Sequence, residues 1–158
     1  MTQLNVGDKA PDFEAKQVIG AYEKKFTASM QKTGVVLYFY PKDMTSGCTV
    51  QAKEFSALNE KFMSEGFKVF GISKDSIQSH KNFIAKENLK ISLISDEDTK
   101  IAKLYGTWVE KSMYGRKYMG MSRDIFVISK DGFIIHILRN VKAKGNAMKV
   151  LQLCKAIS

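Results

Sequence analysis

Short apolar runs alternate with segments of helical periodicity along the first two thirds of the chain, and this alternation restricts the possible folds more than any other feature. Residues 35–40 form a continuous apolar run, rich in β-branched and aromatic side chains, that is typical of a strand buried on both faces. Residues 67–72 predict the next strand, and a short strand is expected near 91–94. Strands separated by helices indicate parallel pairing and an α/β protein.

Four segments have the periodicity of helices. They cover residues 47–64, the stretch from 75 to 88, residues 98–104 and residues 146–157. Gly66 is expected to end the first helix. Asp75 is expected to cap the start of the second, and Asn88 to close it.

The last third of the chain carries a strong hairpin signal. The apolar runs 124–128 and 133–138 flank the turn sequence Ser-Lys-Asp-Gly. This order of elements predicts one domain over residues 1–158, with a mixed central sheet, parallel at its start, and helices on both faces. It is the order of a thioredoxin-like fold, although composition and periodicity by themselves indicate only an α/β protein.

Composition argues against nucleic-acid and membrane roles. The net charge is +9, but only three residues are arginine, and the lysines are scattered, with no run of four basic residues. No apolar stretch approaches the roughly 20 residues that a membrane helix needs. The first residues lack a charged leader followed by an apolar block, so we expect a cytoplasmic protein.

The chain has two cysteines, Cys48 and Cys154, far apart in sequence. Two thiols in a protein that is not exported predict no structural disulfide framework. His80 and His136 have no metal-ligand spacing to either cysteine, so no metal is predicted, and each histidine is expected to be half-exposed or on a strand.

Cys48 lies where a buried strand gives way to a helix. The strand ends at Pro41, a polar loop follows, and the unpaired N–H groups of a helix N-terminus favour a thiolate. Such sites lower the pKa of a cysteine from about 8.5 into the range of about 3.5–7.5. Thr45 could direct its hydroxyl at the sulfur or at a bound substrate. The residues alone leave another interpretation open, in which Cys48 is a small buried apolar residue and Thr45 or Ser46 caps the helix.

Pro41, Thr45 and Cys48 match the Pro-x-x-x-Thr-x-x-Cys motif of peroxiredoxins. The flanking residues 39–43 and 47–49 resemble the subgroup called bacterioferritin comigratory protein, or PrxQ. The resemblance covers nearly the whole chain, because further matching segments follow in the family's order. These are residues 7–13, 71–75, 79–83, 93–96, 105–108 and 118–123.

The resemblance implies a thiol-dependent peroxidase that reduces hydrogen peroxide and organic hydroperoxides without a cofactor. Cys48 would attack the peroxide and become a sulfenic acid. Thr45 would hydrogen-bond the substrate, and Pro41 would shield the sulfur from water. Arg123 would bring its guanidinium to the thiolate and to the peroxide. Thioredoxin, glutaredoxin or a small thiol would supply the electrons, and a monomer is expected.

The chain departs from the family pattern at the second cysteine. Many members carry a resolving cysteine five residues after the first, where this chain has Lys53. A one-cysteine mechanism is therefore expected, in which an external thiol attacks the sulfenic acid. The alternative resolver is Cys154, but its position on an apolar helical face favours a core thiol. Ser46, Gln51 and Asp124 also replace the commoner proline, glutamate and serine or threonine.

Two other functions are compatible with a thioredoxin-like chain. A disulfide reductase needs a Cys-x-x-Cys pair, and Gln51 stands at the position of the second cysteine. A peroxide-sensing or chaperone-like binding protein would instead change partners when Cys48 is oxidised. Repeated consumption of peroxide with a thiol donor distinguishes an enzyme from a sensor, which is oxidised once and stops.

Overall fold

A computed structural model describes residues 3–156, which form nine β-strands, five α-helices and a short 3-10 helix at Ala28–Met30. The strands are β1 Glu14–Ile19, β2 Tyr22–Thr27, β3 Gly34–Phe39, β4 Phe67–Ser73, β5 Ser92–Ser95, β6 Trp108–Met113, β7 Arg116–Met121, β8 Ile125–Ile128 and β9 Ile134–Leu138. The helices are α1 Ser46–Ala57, α2 Asn59–Ser64, α3 Ile77–Glu87, α4 Lys100–Leu104 and α5 Asn146–Lys155.

Seven strands form one mixed sheet in the order β2-β1-β5-β4-β3-β8-β9, and β6 and β7 form a separate hairpin. The central pairs β3–β4 and β4–β5 are parallel, whereas the outer pairs are antiparallel. The predicted mixed sheet and the β8–β9 hairpin are therefore confirmed, and the strands predicted at 35–40 and 67–72 do pair in parallel. The prediction of a parallel start is wrong for the sheet as a whole, because the antiparallel β1–β2 hairpin precedes them.

Side chains of β3 alternate between two apolar clusters, one on each face of the sheet. Val36 and Tyr38 pack with residues of α1, α2, α3 and α5. Val35, Leu37 and Phe39 pack on the opposite face, which carries α4. Because both faces are covered, every residue of β3 is buried, which explains the continuous apolar run. Helices lie on both faces as predicted, but four of the five described helices share the face of Cys48.

Four strands were not predicted, because their residues face solvent. Most side chains of β2, β6 and β7 are exposed, and β2 lies at the edge of the sheet. β1 has only two buried residues. Exposed strands lack the alternation of apolar and polar residues from which a strand is predicted. Their hydrogen bonds to neighbouring strands identify them in the structure.

The helix predicted over residues 47–64 is two helices that meet at Leu58, whose φ of −96° and ψ of 2° interrupt the regular geometry.

The predicted cap at Asp75 is wrong. Ser76 caps α3 instead, and its hydroxyl accepts the Ser79 N–H at 3.1 Å. Asn88 closes α3 in the left-handed conformation, as predicted. The last predicted helix extends to Ile157, which lies outside the described residues.

No helix within residues 3–156 is long and apolar enough to span a bilayer.

Gly71, in the middle of β4, lies opposite Tyr38 of β3 and leaves room for the tyrosine ring. A Cβ at Gly71 would lie 2.7 Å from Tyr38 Cζ, 2.8 Å from its Oη and 2.9 Å from Leu93 Cδ2. We expect Gly71→Ala to lower the free energy of unfolding by about 1–3 kcal/mol, measured by urea denaturation, because the packed core must shift.

Tyr38→Phe provides the control for this prediction. The Tyr38 hydroxyl is buried and forms no hydrogen bond within residues 3–156, so its removal loses none. We expect Gly71→Ala to be less destabilising in the Tyr38→Phe background than in the wild type. Equal losses in the two backgrounds would show that the Tyr38 hydroxyl is not the cause, because phenylalanine keeps the Cζ atom that lies 2.7 Å from the added Cβ.

Candidate active site

Cys48 is the third residue of α1, directly after the loop that leaves β3. The first hydrogen bond within the helix joins the Thr49 N–H to the Thr45 carbonyl at 2.9 Å, so the three preceding N–H groups have no partner in the helix. The first turn of α1 carries no acidic side chain that would offset their partial positive charge. Cys48 is only 2% exposed, so this potential acts on a sulfur shielded from bulk water.

Arg123 reaches Cys48 from a distant part of the chain. It lies between β7 and β8, and antiparallel pairing of β3 with β8 brings it beside the end of β3, where the Phe39 N–H donates to the Asp124 carbonyl at 2.8 Å. Its Nη2 donates to Cys48 Sγ at 3.4 Å. A guanidinium at this distance can hydrogen-bond negative charge that develops on the sulfur or on a bound substrate. The structure therefore brings together two of the residues predicted from the sequence.

Gln51 and Asn146 hold the guanidinium in place. Arg123 Nη1 donates to Gln51 Oε1 at 2.7 Å, and Gln51 Nε2 donates to Asn146 Oδ1 at 3.2 Å. Asn146 in turn donates to the carbonyls of Lys142 and Ala143. The sequence marks Gln51 as a departure from the family pattern and as the residue in place of a second cysteine, and it does not identify Asn146. The sequence signal for Asn146 is its position as a polar residue at the start of an apolar helix, and its burial is seen in the structure.

Thr45 and Pro41 lie on the loop between β3 and α1. The Thr45 hydroxyl does not cap the helix, since it donates to the Lys42 carbonyl at 2.8 Å. That bond uses its proton and leaves oxygen lone pairs that can accept from a substrate O–H. Pro41 is half-buried immediately after β3. Both residues are thus on the loop that leads to Cys48, while their catalytic roles remain predictions.

Asp124 does not neutralise Arg123, although the two are adjacent in sequence. The Asp124 carboxylate is buried and accepts from Arg139 Nη1 at 2.9 Å, from the Ser122 hydroxyl at 2.7 Å and from the Asn140 N–H at 2.8 Å. The two neighbours have separate partners, as expected from the sequence, although they lie between β7 and β8 and not within a strand. The positive charge beside Cys48 is therefore preserved.

Lys111, on β6, adds a cation that the sequence analysis missed. Its Nζ donates to the Met121 carbonyl at 2.5 Å, two residues before Arg123. Burial lowers the pKa of Lys111, and the nearby Arg123 charge lowers it further, whereas Cys48 and Asp124 act in the opposite direction. Nothing in the sequence distinguishes Lys111 from the other scattered lysines.

Cys154 lies in the core, remote from the first turn of α1. It is fully buried on α5, and burial, with a smaller effect of Glu65, raises the pKa of its thiol to about 12. α5 begins at Asn146, next to Gln51, and eight residues of helix place Cys154 about 12 Å further along its axis. The structure does not bring Cys154 together with Cys48.

His80 is fully buried on α3, so the expectation of a half-exposed or strand-borne residue is wrong for it. His136 lies on β9 and is half-buried, as expected. Within residues 3–156, no cluster of three or more histidine, cysteine, aspartate or glutamate side chains could hold a metal ion.

Comparison with known proteins agrees with this geometry. The model of the AhpC/TSA family matches residues 6–137. The chain is 45% identical over 152 residues to the putative peroxiredoxin bcp of Helicobacter pylori, covering 96% of this chain and 99% of that protein. It is 38% identical over 155 residues to the peroxiredoxin Bcp of Bacillus subtilis, covering 98% of each.

A solved structure supports the same relationship. The bacterioferritin comigratory protein of Xanthomonas campestris, solved in a study of its alkyl peroxide reduction activity, superposes with a TM-score of 0.84 at 34% identity. The match covers 92% of this chain and 91% of that one. The predicted thioredoxin-like fold is confirmed by this likeness.

Proposed function

The chain belongs to the AhpC/TSA family and is a thiol-dependent peroxidase of the Bcp type, and from this premise we propose that Cys48 is the sulfur that reduces the peroxide. The contact that carries the proposal is Arg123 Nη2 at 3.4 Å from Cys48 Sγ, at the N-terminus of α1. Cationic and N–H groups on both sides of one sulfur stabilise a thiolate, which is the nucleophilic form of cysteine.

In the proposed reaction the Cys48 thiolate attacks one oxygen of the hydroperoxide. A sulfur–oxygen bond forms, the O–O bond breaks, and the leaving alkoxide or hydroxide takes up a proton to become an alcohol or water. Sulfur loses two electrons and becomes a sulfenic acid. Arg123 stabilises the negative charge that spreads over the oxygens, Thr45 accepts a hydrogen bond from the substrate, and Pro41 keeps water from the sulfur.

An external thiol completes the cycle. It attacks the sulfenic sulfur and releases water, and a second thiol then reduces the mixed disulfide. Lys53 stands where many relatives resolve the sulfenic acid with a cysteine, and Cys154 is a buried thiol whose raised pKa, about 12, keeps it protonated at neutral pH. We therefore propose a one-cysteine mechanism.

Intact mass spectrometry after one equivalent of peroxide tests this mechanism. We expect a gain of one oxygen atom, or its adduct with added thiol, in both the wild type and Cys154→Ser, because Cys154 is neither ionised nor near Cys48. Loss of two hydrogens in the wild type alone, or a disulfide-linked dimer there, would identify Cys154 as the resolving cysteine.

Catalysis is tested with the purified protein, a thiol donor and either hydrogen peroxide or an alkyl hydroperoxide, the substrate class studied for the Xanthomonas campestris relative. We expect many turnovers per protein molecule. Consumption of one equivalent followed by arrest would instead indicate a peroxide sensor.

The partners belong to the same proposal. Thioredoxin, glutaredoxin or a small thiol supplies the electrons. A monomer suffices, because the side chains proposed for the reaction all come from one chain. We also propose a cytoplasmic location, since both cysteines are free thiols and reducing compartments preserve that state.

A further inference from the structure

A buried polar cluster anchors the loop between β3 and α1 at Asp43. This residue is 5% exposed, and its Oδ1 accepts the Tyr40 hydroxyl at 2.6 Å. Its Oδ2 accepts the Ser79 hydroxyl at 2.8 Å and lies 2.7 Å from His80 Nδ1. The Asp43 N–H donates to Asp75 Oδ2 at 2.9 Å. One loop residue is therefore tied to the residue that follows β3, to α3 and to the segment between β4 and α3.

The hydrogen bonds of this cluster show which of its groups donate. Burial and the Asp43 carboxylate raise the pKa of Tyr40, so the phenol keeps its proton and is a donor. The Tyr40 hydroxyl donates to one oxygen of Asp43 and the Ser79 hydroxyl to the other. His80 Nδ1 faces Asp43 Oδ2, and His80 Nε2 lies 3.0 Å from the Ile94 carbonyl, so a ring protonated on both nitrogens would have an acceptor for each N–H.

Asp43 directly precedes a strained residue of the loop. Met44, which follows Asp43, has φ of 63°, a left-handed conformation that is unfavourable for a residue with a side chain. The next residue, Thr45, supplies the carbonyl from which α1 starts. Such a conformation persists when its surroundings hold it, and the anchored Asp43 provides that restraint on one side of Met44.

We propose that Asp43 and His80 form a buried ion pair that sets the orientation of Thr45 and of the first turn of α1 for the reaction at Cys48. Neither side chain touches the sulfur, so both act through the loop. This inference rests on the proposed role of Cys48. It assigns a function to two buried titratable groups that the proposed mechanism does not otherwise use.

Asp43→Asn tests the proposal through Cys48 reactivity. An asparagine amide group would meet a donor in either orientation, because Tyr40 donates to one oxygen and Ser79 and His80 to the other. We expect the second-order rate constant for Cys48 oxidation by hydrogen peroxide to fall about 10- to 100-fold, since small displacements of reacting groups have effects of this size. Single-turnover mass spectrometry measures this rate.

Asp96→Asn is the matched control, because it also removes a buried carboxylate at the same edge of the sheet. The Asp96 carboxylate accepts the N–H groups of Ile101 and Ala102 at 3.0 and 2.9 Å, so its hydrogen bonds go to α4. We expect Asp96→Asn to lower stability while the oxidation rate stays within about twofold of the wild type. A rate loss in Asp43→Asn no larger than in this control would overturn the proposal.

Nuclear magnetic resonance of the histidine ring nitrogens provides a readout that needs no variant. At pH 7 we expect His80 to show two protonated nitrogens, with His136, the second of the two histidines, as the internal reference. A neutral-imidazole pattern for His80 would overturn the proposal even if Asp43→Asn failed to fold. Retained turnover in Cys48→Ser would instead contradict the proposed function and leave the His80 pattern unaffected.

Discussion

Replacing Cys48 with serine is expected to lower peroxide turnover by about 10⁴-fold or more, which is the scale on which loss of a catalytic nucleophile acts. Serine keeps the size and position of the side chain, but a hydroxyl does not ionise near neutral pH, so the N-terminus of α1 and Arg123 would have no thiolate to stabilise. Because Cys48 is buried at the start of a regular helix, we expect the variant to fold.

Steady-state peroxide consumption with a thiol donor measures this effect, and Cys154→Ser is the matched control. That variant makes the same substitution at the other cysteine, and we expect at least half of the wild-type rate, because Cys154 is remote from the reacting sulfur. Turnover by Cys48→Ser at the parent rate would refute the proposed mechanism.

Arg123→Met is expected to lower the rate constant for Cys48 oxidation by about 10²- to 10³-fold. Loss of a single donor to a developing oxyanion has an effect of this size in other enzymes, and Arg123 also stabilises the attacking thiolate. Arg123→Lys is expected to retain part of the activity, because an ammonium keeps the charge but cannot donate to Cys48 and Gln51 in the fork geometry of arginine.

Stopped-flow oxidation of the reduced protein separates this step from reduction by the donor thiol. Arg116→Met is the matched control, because Arg116 is an exposed arginine at the start of β7, the strand that leads to Arg123. Arg116→Met removes one positive charge, as Arg123→Met does, so a comparable rate loss in both variants would indicate a general electrostatic effect. An unchanged rate in Arg123→Met would exclude the guanidinium from the reaction.

The central strands and the last hairpin could be predicted because their signals are local. Every residue of β3 is apolar or glycine, since both faces of this strand are covered, and the turn before β9 has a sequence typical of hairpins. The β6–β7 hairpin could not be predicted, because most of its side chains face solvent. It carries Lys111, which the sequence analysis therefore also missed.

The sequence by itself determined the position of Cys48 at the start of a helix and the absence of a cysteine at Lys53, because both depend only on neighbours along the chain. The tertiary structure alone decided which groups surround that sulfur. Arg123 and Asn146 reach the site only through strand pairing and helix packing, and His80 pairs with Asp43 across 37 residues. A hydrogen bond needs two side chains at about 3 Å in a defined orientation, and only the packed core brings distant residues into that geometry.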